Sequence, residues 1–206
     1  VDGECSTNDC VFVLANGRSG ARVNEESYPV FVDALRSVCR SLAIGIVRGG
    51  EGATKLIAVN VIGGETDQDA RLAARAISNS PLVKTAVHGG DPNWGRLIAV
   101  AGRSGAAFVL ERAAVRIGPV ELFNDGAPHD ERADEAAAYL KQTDVPLDVD
   151  LGTGGSGRWR MWTCDLSAEY AVVWSAAQPA GDDLVRVGPD SLDGRELFLA
   201  RDRLGE

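Results

Sequence analysis

Four charged or amide side chains fall within residues 80–96, where their types could bind a charged substrate: Lys84, Asp91, Asn93 and Arg96. Glycines and prolines that favour turns surround them, and Trp94 lies among them. No amphipathic helix or alternating strand requires this mixture of residues. The four side chains could form a polar site, or an ion-pair and turn network beneath Trp94. Residue types alone favour the network, because structural ion networks are common.

A fifth candidate is a carboxylate inside a glycine turn, Gly49-Gly50-Glu51-Gly52. Flanking glycines let the backbone turn sharply and let a ligand approach it closely. Glu51 could therefore pair with the ammonium group of a substrate. The alternative is an exposed loop carboxylate without a ligand, which composition alone favours.

The histidines and cysteines do not predict a metal site. The two histidines, His88 and His129, could each act as a general base, but neither lies beside a nucleophile in the sequence, and we interpret both as loop or surface residues. No C-x-x-C pair occurs. We therefore expect the protein to hold no metal and no cofactor. We also expect it to be cytoplasmic, with its four cysteines buried and reduced: Cys5, Cys10, Cys39 and Cys164.

Helical and strand patterns predict the elements that must position these residues. Residues 25–47 are predicted as a helix with apolar residues four apart on one face: Val30, Ala34, Val38, Leu42 and Ile46. A second helix is predicted over 64–79, with Thr66 as its N-cap and a buried stripe of four residues: Leu72, Ala73, Ala76 and Ile77. Strands are predicted at 11–15 and 55–62, and a short helix at 131–143.

Two β-hairpins complete the prediction, one around Gly118-Pro119 within 115–123 and one over 146–165. The turn of the second hairpin, residues 152–157, satisfies the pattern GxGxxG. The dinucleotide-binding version of that pattern must open a helix, whereas a strand-like segment follows here. The elements together predict a layered α/β (α+β) sandwich.

Charge and hydropathy exclude other classes of protein. The 206 residues carry 21 Lys+Arg against 30 Asp+Glu, a formal net charge of −9. This charge and the lack of a basic cluster argue against a nucleic-acid partner. No apolar run approaches the roughly 20 residues that span a bilayer, so we expect no membrane association.

Several longer motifs resemble, in the same order, those of the ornithine acetyltransferase family. The resemblance runs from Val1 to about Tyr170. It rests on VDGECSTND at 1–9, LANG at 14–17, GEGATK at 50–55, SPLVKTA at 80–86, DPNWGR at 91–96 and WTCDL at 162–166.

The resemblance implies an autoprocessing fold and a two-step acetyl transfer in arginine biosynthesis. Members are made as a precursor that cuts itself and frees a threonine at the start of the second chain. That threonine takes acetyl from N-acetylornithine and passes it to glutamate, and some members also use acetyl-CoA. The resemblance implies that Glu51 contacts the amino-acid substrate.

By the same resemblance, these residues correspond to most of the second (β) chain. The nucleophilic threonine is absent, so we expect no catalytic residue in this chain and no activity from it alone. The implied partner is the first (α) chain of the same precursor, in an α2β2 assembly.

The sequence also departs from the family's pattern. Gly49 stands where the family usually has Asp, and Trp174 stands where it has a substrate-binding Asn. Residues 178–206 do not resemble the family, so we predict a β-chain core at 1–177 and a divergent tail with a short helix at 191–204. Two alternatives stay open: a related autoprocessing acetyltransferase or aminopeptidase with another substrate, and a non-catalytic paralogue.

Overall fold

The computed structural model describes residues 2–4, 8, 10–170, 184–187 and 197–200. The chain forms two units, residues 1–170 and 171–206. The predicted boundary after residue 177 stays a prediction, and Trp174 lies outside the described residues.

The first unit is built on a six-stranded mixed sheet in the order β4-β3-β2-β5-β1-β6. Its central strands β1 and β5 are parallel, and each other neighbouring pair is antiparallel. The strands are β1 Leu56–Gly64, β2 Ala114–Ile117, β3 Val120–Asn124, β4 Ala127–Pro128, β5 Asp144–Asp150 and β6 Gly157–Cys164.

Helices fill the connections, which confirms the predicted α/β class. They are α1 Tyr28–Arg48, α2 Asp67–Ser78, α3 Pro81–Gly89, α4 Trp94–Gly102 and α5 Ala133–Tyr139, with short 3-10 turns at Leu110–Arg112 and Asp130–Arg132. Thr66 caps α2 as predicted: its hydroxyl accepts a hydrogen bond from the Asp69 amide at 3.1 Å, and the Asp69 carboxylate accepts one from the Thr66 amide.

Residues 80–96 are largely helical, although their mixture of residues is not one that a helix requires. Ser80 caps α3 by accepting from the Val83 amide, and Pro81 takes the first helical position, where its missing amide is harmless. Asn93 caps α4 by accepting from the Arg96 amide at 3.2 Å. The turn residues of this stretch therefore start two short helices.

The core lies between one face of the sheet and helices α2–α5. Alternate residues of β1 and β5 point into it, as the two-residue period of a strand requires: Ile57, Val59, Val61, Val145, Leu147 and Val149 are each at most 1% exposed. The predicted stripe of α2 is buried at Ala73 and Ile77, but Leu72 is 37% exposed, so its assignment to the core was wrong.

The opposite face of the sheet carries a polar cluster, and among the described residues α1 covers one end of this face. Val47 of α1 packs there with Leu56 and Cys164. Beyond that end, Asn60 donates to Asp148 Oδ1 at 2.5 Å and accepts from Arg160 Nε. This arrangement leaves most of α1 unpacked among the described residues: Val30, Val38, Leu42 and Ile46 are 56–72% exposed.

Three further predictions are corrected. Residues 11–15 form no strand, and Val11 and Leu14 are more than 90% exposed, because no described strand lies beside them. β5 and β6 are not a hairpin, since β1 lies between them and pairs with both. Cys10 and Cys39 are exposed rather than buried. The hairpin β2–β3 is confirmed.

In the second unit, β7 Leu184–Val187 pairs antiparallel with β8 Leu197–Ala200. A strand at 197–200 corrects the helix predicted over 191–204. None of the helices in the described part of the chain is both long and apolar enough to cross a membrane.

Candidate functional site

Glu51 lies in the loop of residues 49–55, which connects the end of α1 to the start of β1. The side chain is exposed, as a substrate-binding carboxylate requires. Gly52 follows with φ +65°, and a Cβ built on it would lie 2.7 Å from the Tyr170 amide nitrogen. Only glycine fits this conformation and this close approach, which explains why the loop carries glycine beside Glu51.

The end of this loop is held by Asp165, the residue that follows β6. Its Oδ1 accepts hydrogen bonds from the amides of Thr54 and Lys55, both at 2.8 Å. Its Oδ2 accepts one from the Thr54 hydroxyl at 2.5 Å and lies 2.7 Å from His88 Nδ1. The Asp165 side chain is fully buried, so these contacts replace the water that the carboxylate loses.

These contacts also set the pKa of Asp165. Burial, the largest influence, raises the pKa, but hydrogen bonds from Thr54, His88 and the amides of Thr54 and Lys55 together bring it below its ordinary value. Burial lowers the pKa of Lys55 and outweighs the opposite effect of Asp165. The Lys55 ammonium donates to the Val87 and His88 carbonyls at 2.6 and 3.2 Å, at the C-terminal end of α3.

Tyr170 packs against the loop of Glu51 and is hydrogen-bonded to Asp2. The Tyr170 hydroxyl donates to Asp2 Oδ2 at 2.8 Å. This hydrogen bond, burial and the charges of Asp2 and Glu51 raise the pKa of Tyr170 to about 12. The Glu4 amide and the Tyr170 hydroxyl lower the pKa of Asp2. The charges of Asp2 and Glu51 therefore both act on the Tyr170 hydroxyl.

Asp91, Asn93 and Arg96 come together at the turn between α3 and α4. Asn93 donates to Asp91 Oδ2 at 3.2 Å, and Arg96 Nη2 lies 3.9 Å from the same oxygen. Arg96 Nη1 also donates to the Leu82 carbonyl at 2.7 Å. Their contacts join the two helices, so the geometry of the turn fits the network interpretation.

Trp94 anchors this turn to the edge of the sheet. Its ring stacks on Phe123 of β3 with centroids 4.9 Å apart, and its indole N–H donates to Asp130 at 3.1 Å. The indole thereby packs the α3–α4 turn against β3 and the segment that precedes α5.

Lys84 is only 2% exposed and lies on the core side of α3. Its ammonium donates to the Thr163 hydroxyl at 3.0 Å and approaches Cys164 Sγ at 3.8 Å. Lys84 thus joins α3 to the end of β6. Its assignment, like that of Glu51, Asp91, Asn93 and Arg96, to substrate binding stays a prediction.

Sequence reasoning missed Asp165, Asp2 and Tyr170. Asp165 lies in the WTCDL motif at 162–166, but its contacts with residues 54 and 55 follow only from the pairing of β1 with β6, in which Leu56 is opposite Cys164. Within the part of the chain that the structure describes, His, Cys, Asp and Glu form no cluster able to hold a metal ion.

Known proteins with a similar sequence share one name. Residues 1–176 match the model of the ArgJ family. The chain is 45% identical over 176 residues to the arginine biosynthesis bifunctional protein ArgJ of Dehalococcoides mccartyi (strain CBDB1). This alignment covers 84% of the chain and 43% of the relative. It is 47% identical over 182 residues to the protein of the same name in Synechococcus sp., covering 82% and 44%. The chain spans less than half the length of these relatives.

A solved structure gives the same result. The crystal structure of the arginine biosynthesis bifunctional protein ArgJ of Bacillus halodurans superposes with a TM-score of 0.80 at 41% sequence identity. The match covers 85% of this chain and 84% of that chain.

Proposed function

Because this chain belongs to the ArgJ family, we propose that it is part of a cytoplasmic acetyltransferase that moves acetyl from N-acetylornithine to glutamate. The family match over residues 1–176 carries the proposal. The relatives' name, an arginine biosynthesis bifunctional protein, supports this pathway over the alternative substrates. We propose acetyl-CoA as a second acetyl donor. The proposed chemistry uses no metal or other cofactor.

In the proposed reaction, the nucleophile is a threonine hydroxyl supplied by the remainder of the full-length protein. It attacks the acetyl carbonyl of N-acetylornithine, which forms an acetyl-threonine ester and releases ornithine. The α-amine of glutamate then attacks this ester, which forms N-acetylglutamate and restores the hydroxyl. This chain contributes the loop of Glu51, whose carboxylate pairs with the side-chain ammonium group of bound N-acetylornithine, while the α-amine of glutamate attacks in its neutral form and passes its proton to the threonine oxygen.

The surroundings of Glu51 support this role. The carboxylate is exposed, while the loop behind it is fixed by Asp165. The charge of Glu51 acts on Tyr170, which is itself hydrogen-bonded to Asp2. Two carboxylates near one hydroxyl favour an ammonium group over an anionic group at this position.

A second set of observations supports a partner chain. The exposed apolar stripe of α1, residues 30, 34, 38, 42 and 46, is a surface that a partner would cover. The solved chain from Bacillus halodurans is matched over 84% of its length, against 43% for a full-length relative. That difference fits a precursor divided into two chains, and we propose an α2β2 assembly of them.

The product of the whole reading frame tests the proposal. We expect two co-purifying chains by intact mass, the second of which begins with threonine by N-terminal sequencing. Incubation with N-acetylornithine should add one acetyl group to that threonine. A single uncut chain, or a cut protein that gains no acetyl group, would refute the proposed function.

A further inference from the structure

The segment that follows β6 holds the loop of Glu51 at two places. At the far end of the loop, the Asp165 carboxylate accepts hydrogen bonds from the Thr54 amide, the Lys55 amide and the Thr54 hydroxyl. Nearer to Glu51, the Ser167 hydroxyl donates to the Gly52 carbonyl at 2.7 Å. We call Asp165 and Ser167 the clamp.

The clamp leaves the loop little room to move. A Cβ on Gly52 would lie 2.8 Å from the Ser167 hydroxyl oxygen and 3.2 Å from the Glu169 carbonyl carbon. Contact at this distance means that the backbone directly after Glu51 packs against residues 167–170. The Tyr170 amide also donates to the Ser167 hydroxyl, at 3.4 Å, which fixes that hydroxyl in turn.

A free glycine loop would not present Glu51 in one place. Gly50 and Gly52 flank Glu51, and glycine populates more backbone conformations than any other residue. An exposed carboxylate on such a loop would lose binding energy to ordering when a substrate arrives. The clamp removes that cost, because the hydrogen bonds of Asp165 and Ser167 order the loop before binding.

We propose that Asp165 and Ser167 are positioning residues, which hold the loop so that Glu51 meets the ammonium group of the substrate. The inference rests on the proposed function. It assigns Asp165 and Ser167 a role that acts through Glu51, and it makes substrate affinity depend on contacts between the segment before β1 and the segment after β6, which lie at the same end of the strand pair.

The test uses the full-length, processed protein with N-acetylornithine and glutamate as substrates. Asp165→Asn keeps the acceptor for the two amides but removes the charge and the second acceptor, and Ser167→Ala removes the bond to Gly52. We expect Asp165→Asn to raise KM for N-acetylornithine on the order of tenfold with little change in kcat, and Ser167→Ala to raise the same KM by a smaller factor. Arg132→Gln, an exposed change far from the loop, is the control.

A double-mutant cycle separates positioning from a general loss of structure. If the clamp acts through Glu51, Asp165→Asn should add little further increase in KM once Glu51→Gln is present. An equal increase in both backgrounds would contradict the proposal. If Asp165→Asn does not fold, the same cycle with Ser167→Ala decides the question.

Two failures remain distinguishable. A wild-type protein without acetyl transfer would refute the proposed function, and the positioning role would fall with it. An active wild type whose KM values are unchanged by Asp165→Asn and Ser167→Ala would refute the positioning role alone. Amide hydrogen exchange at Thr54 and Lys55 should also become faster in Asp165→Ala, which removes the acceptor of both amides, and unchanged exchange would show that the clamp does not order the loop.

Discussion

The Tyr170 hydroxyl donates a hydrogen bond to Asp2 Oδ2 at 2.8 Å, although 168 positions separate the two residues. The bond joins the first described residues to the last residue of the first unit. It also lies beside the loop of Glu51, whose charge acts on the same phenol.

This bond predicts an unusual titration. One tyrosine should lose its proton near pH 12, because the hydrogen bond to Asp2 is the largest influence on Tyr170. Asp2→Asn should bring that pKa down toward 10, the ordinary value. The absorbance of tyrosinate measures the shift, and Glu4→Gln is the matched control for loss of one nearby charge. A wild-type curve with every tyrosine near 10 would contradict the contact.

The sign of the effect on stability follows from the raised pKa. A group whose pKa is raised on folding stabilises the fold fully below its unfolded pKa, here about 10, and loses that contribution as the pH rises through 12. Wild type should therefore lose stability between pH 10 and 12 more steeply than Tyr170→Phe. Parallel curves for the two proteins would show that the bond does not contribute.

Glu51→Gln tests the substrate contact itself. If Glu51 pairs with the side-chain ammonium group as proposed, we expect KM for N-acetylornithine to rise roughly 10- to 100-fold, since a hydrogen bond to a charged group contributes about 1.5–3 kcal/mol. Steady-state kinetics of the full-length protein measure it. Glu65→Gln, at an exposed position before α2, should leave KM unchanged. If the two substitutions changed KM equally, Glu51 would not be a substrate contact.

Lys84 should matter for folding. Lys84→Ala removes a buried stem and the donor to Thr163, so we expect the free energy of unfolding to fall by about 2–4 kcal/mol. Urea unfolding measures it. The exposed Lys141→Ala is the matched control and should change stability by about 0.5 kcal/mol or less. A stable Lys84→Ala protein with impaired binding would instead favour a site role.

The apolar stripe of α1 predicts a partner surface. Leu42 is 63% exposed, so Leu42→Glu should leave the fold of this chain intact and reduce the amount that co-purifies with the partner chain. Ala43→Glu places the same charge on the next residue, which is exposed but outside the stripe. Pull-down from the co-expressed chains measures the difference. Full recovery of Leu42→Glu would show that the stripe is not covered by that chain.

Local signals in the sequence predicted the local structure well. Thr66 and Asp69 lie within one turn, so the N-cap of α2 could be recognised from their spacing. The strand β1 and the hairpin β2–β3 also depend on neighbouring residues, and both were predicted.

Contacts between distant residues could not be predicted in the same way. Residues 146–165 have the pattern of a hairpin, but β1 lies between β5 and β6 and pairs with both. The sequence of residues 146–165 does not indicate that another strand separates these two. Asp165 has a role only because the β1–β6 register brings it to Thr54. Residues 11–15 have the composition of a strand, but a strand also needs a neighbour, and no described strand lies beside them.

The most direct test of the central claim is acetyl transfer by the protein made from the whole reading frame. N-acetylornithine labelled in its acetyl group, mixed with unlabelled glutamate, should yield N-acetylglutamate that carries the label and an equal amount of unlabelled ornithine, without any added cofactor. Label that stays in N-acetylornithine, or that passes to water as acetate without reaching glutamate, would contradict the assignment of this chain to an ornithine acetyltransferase.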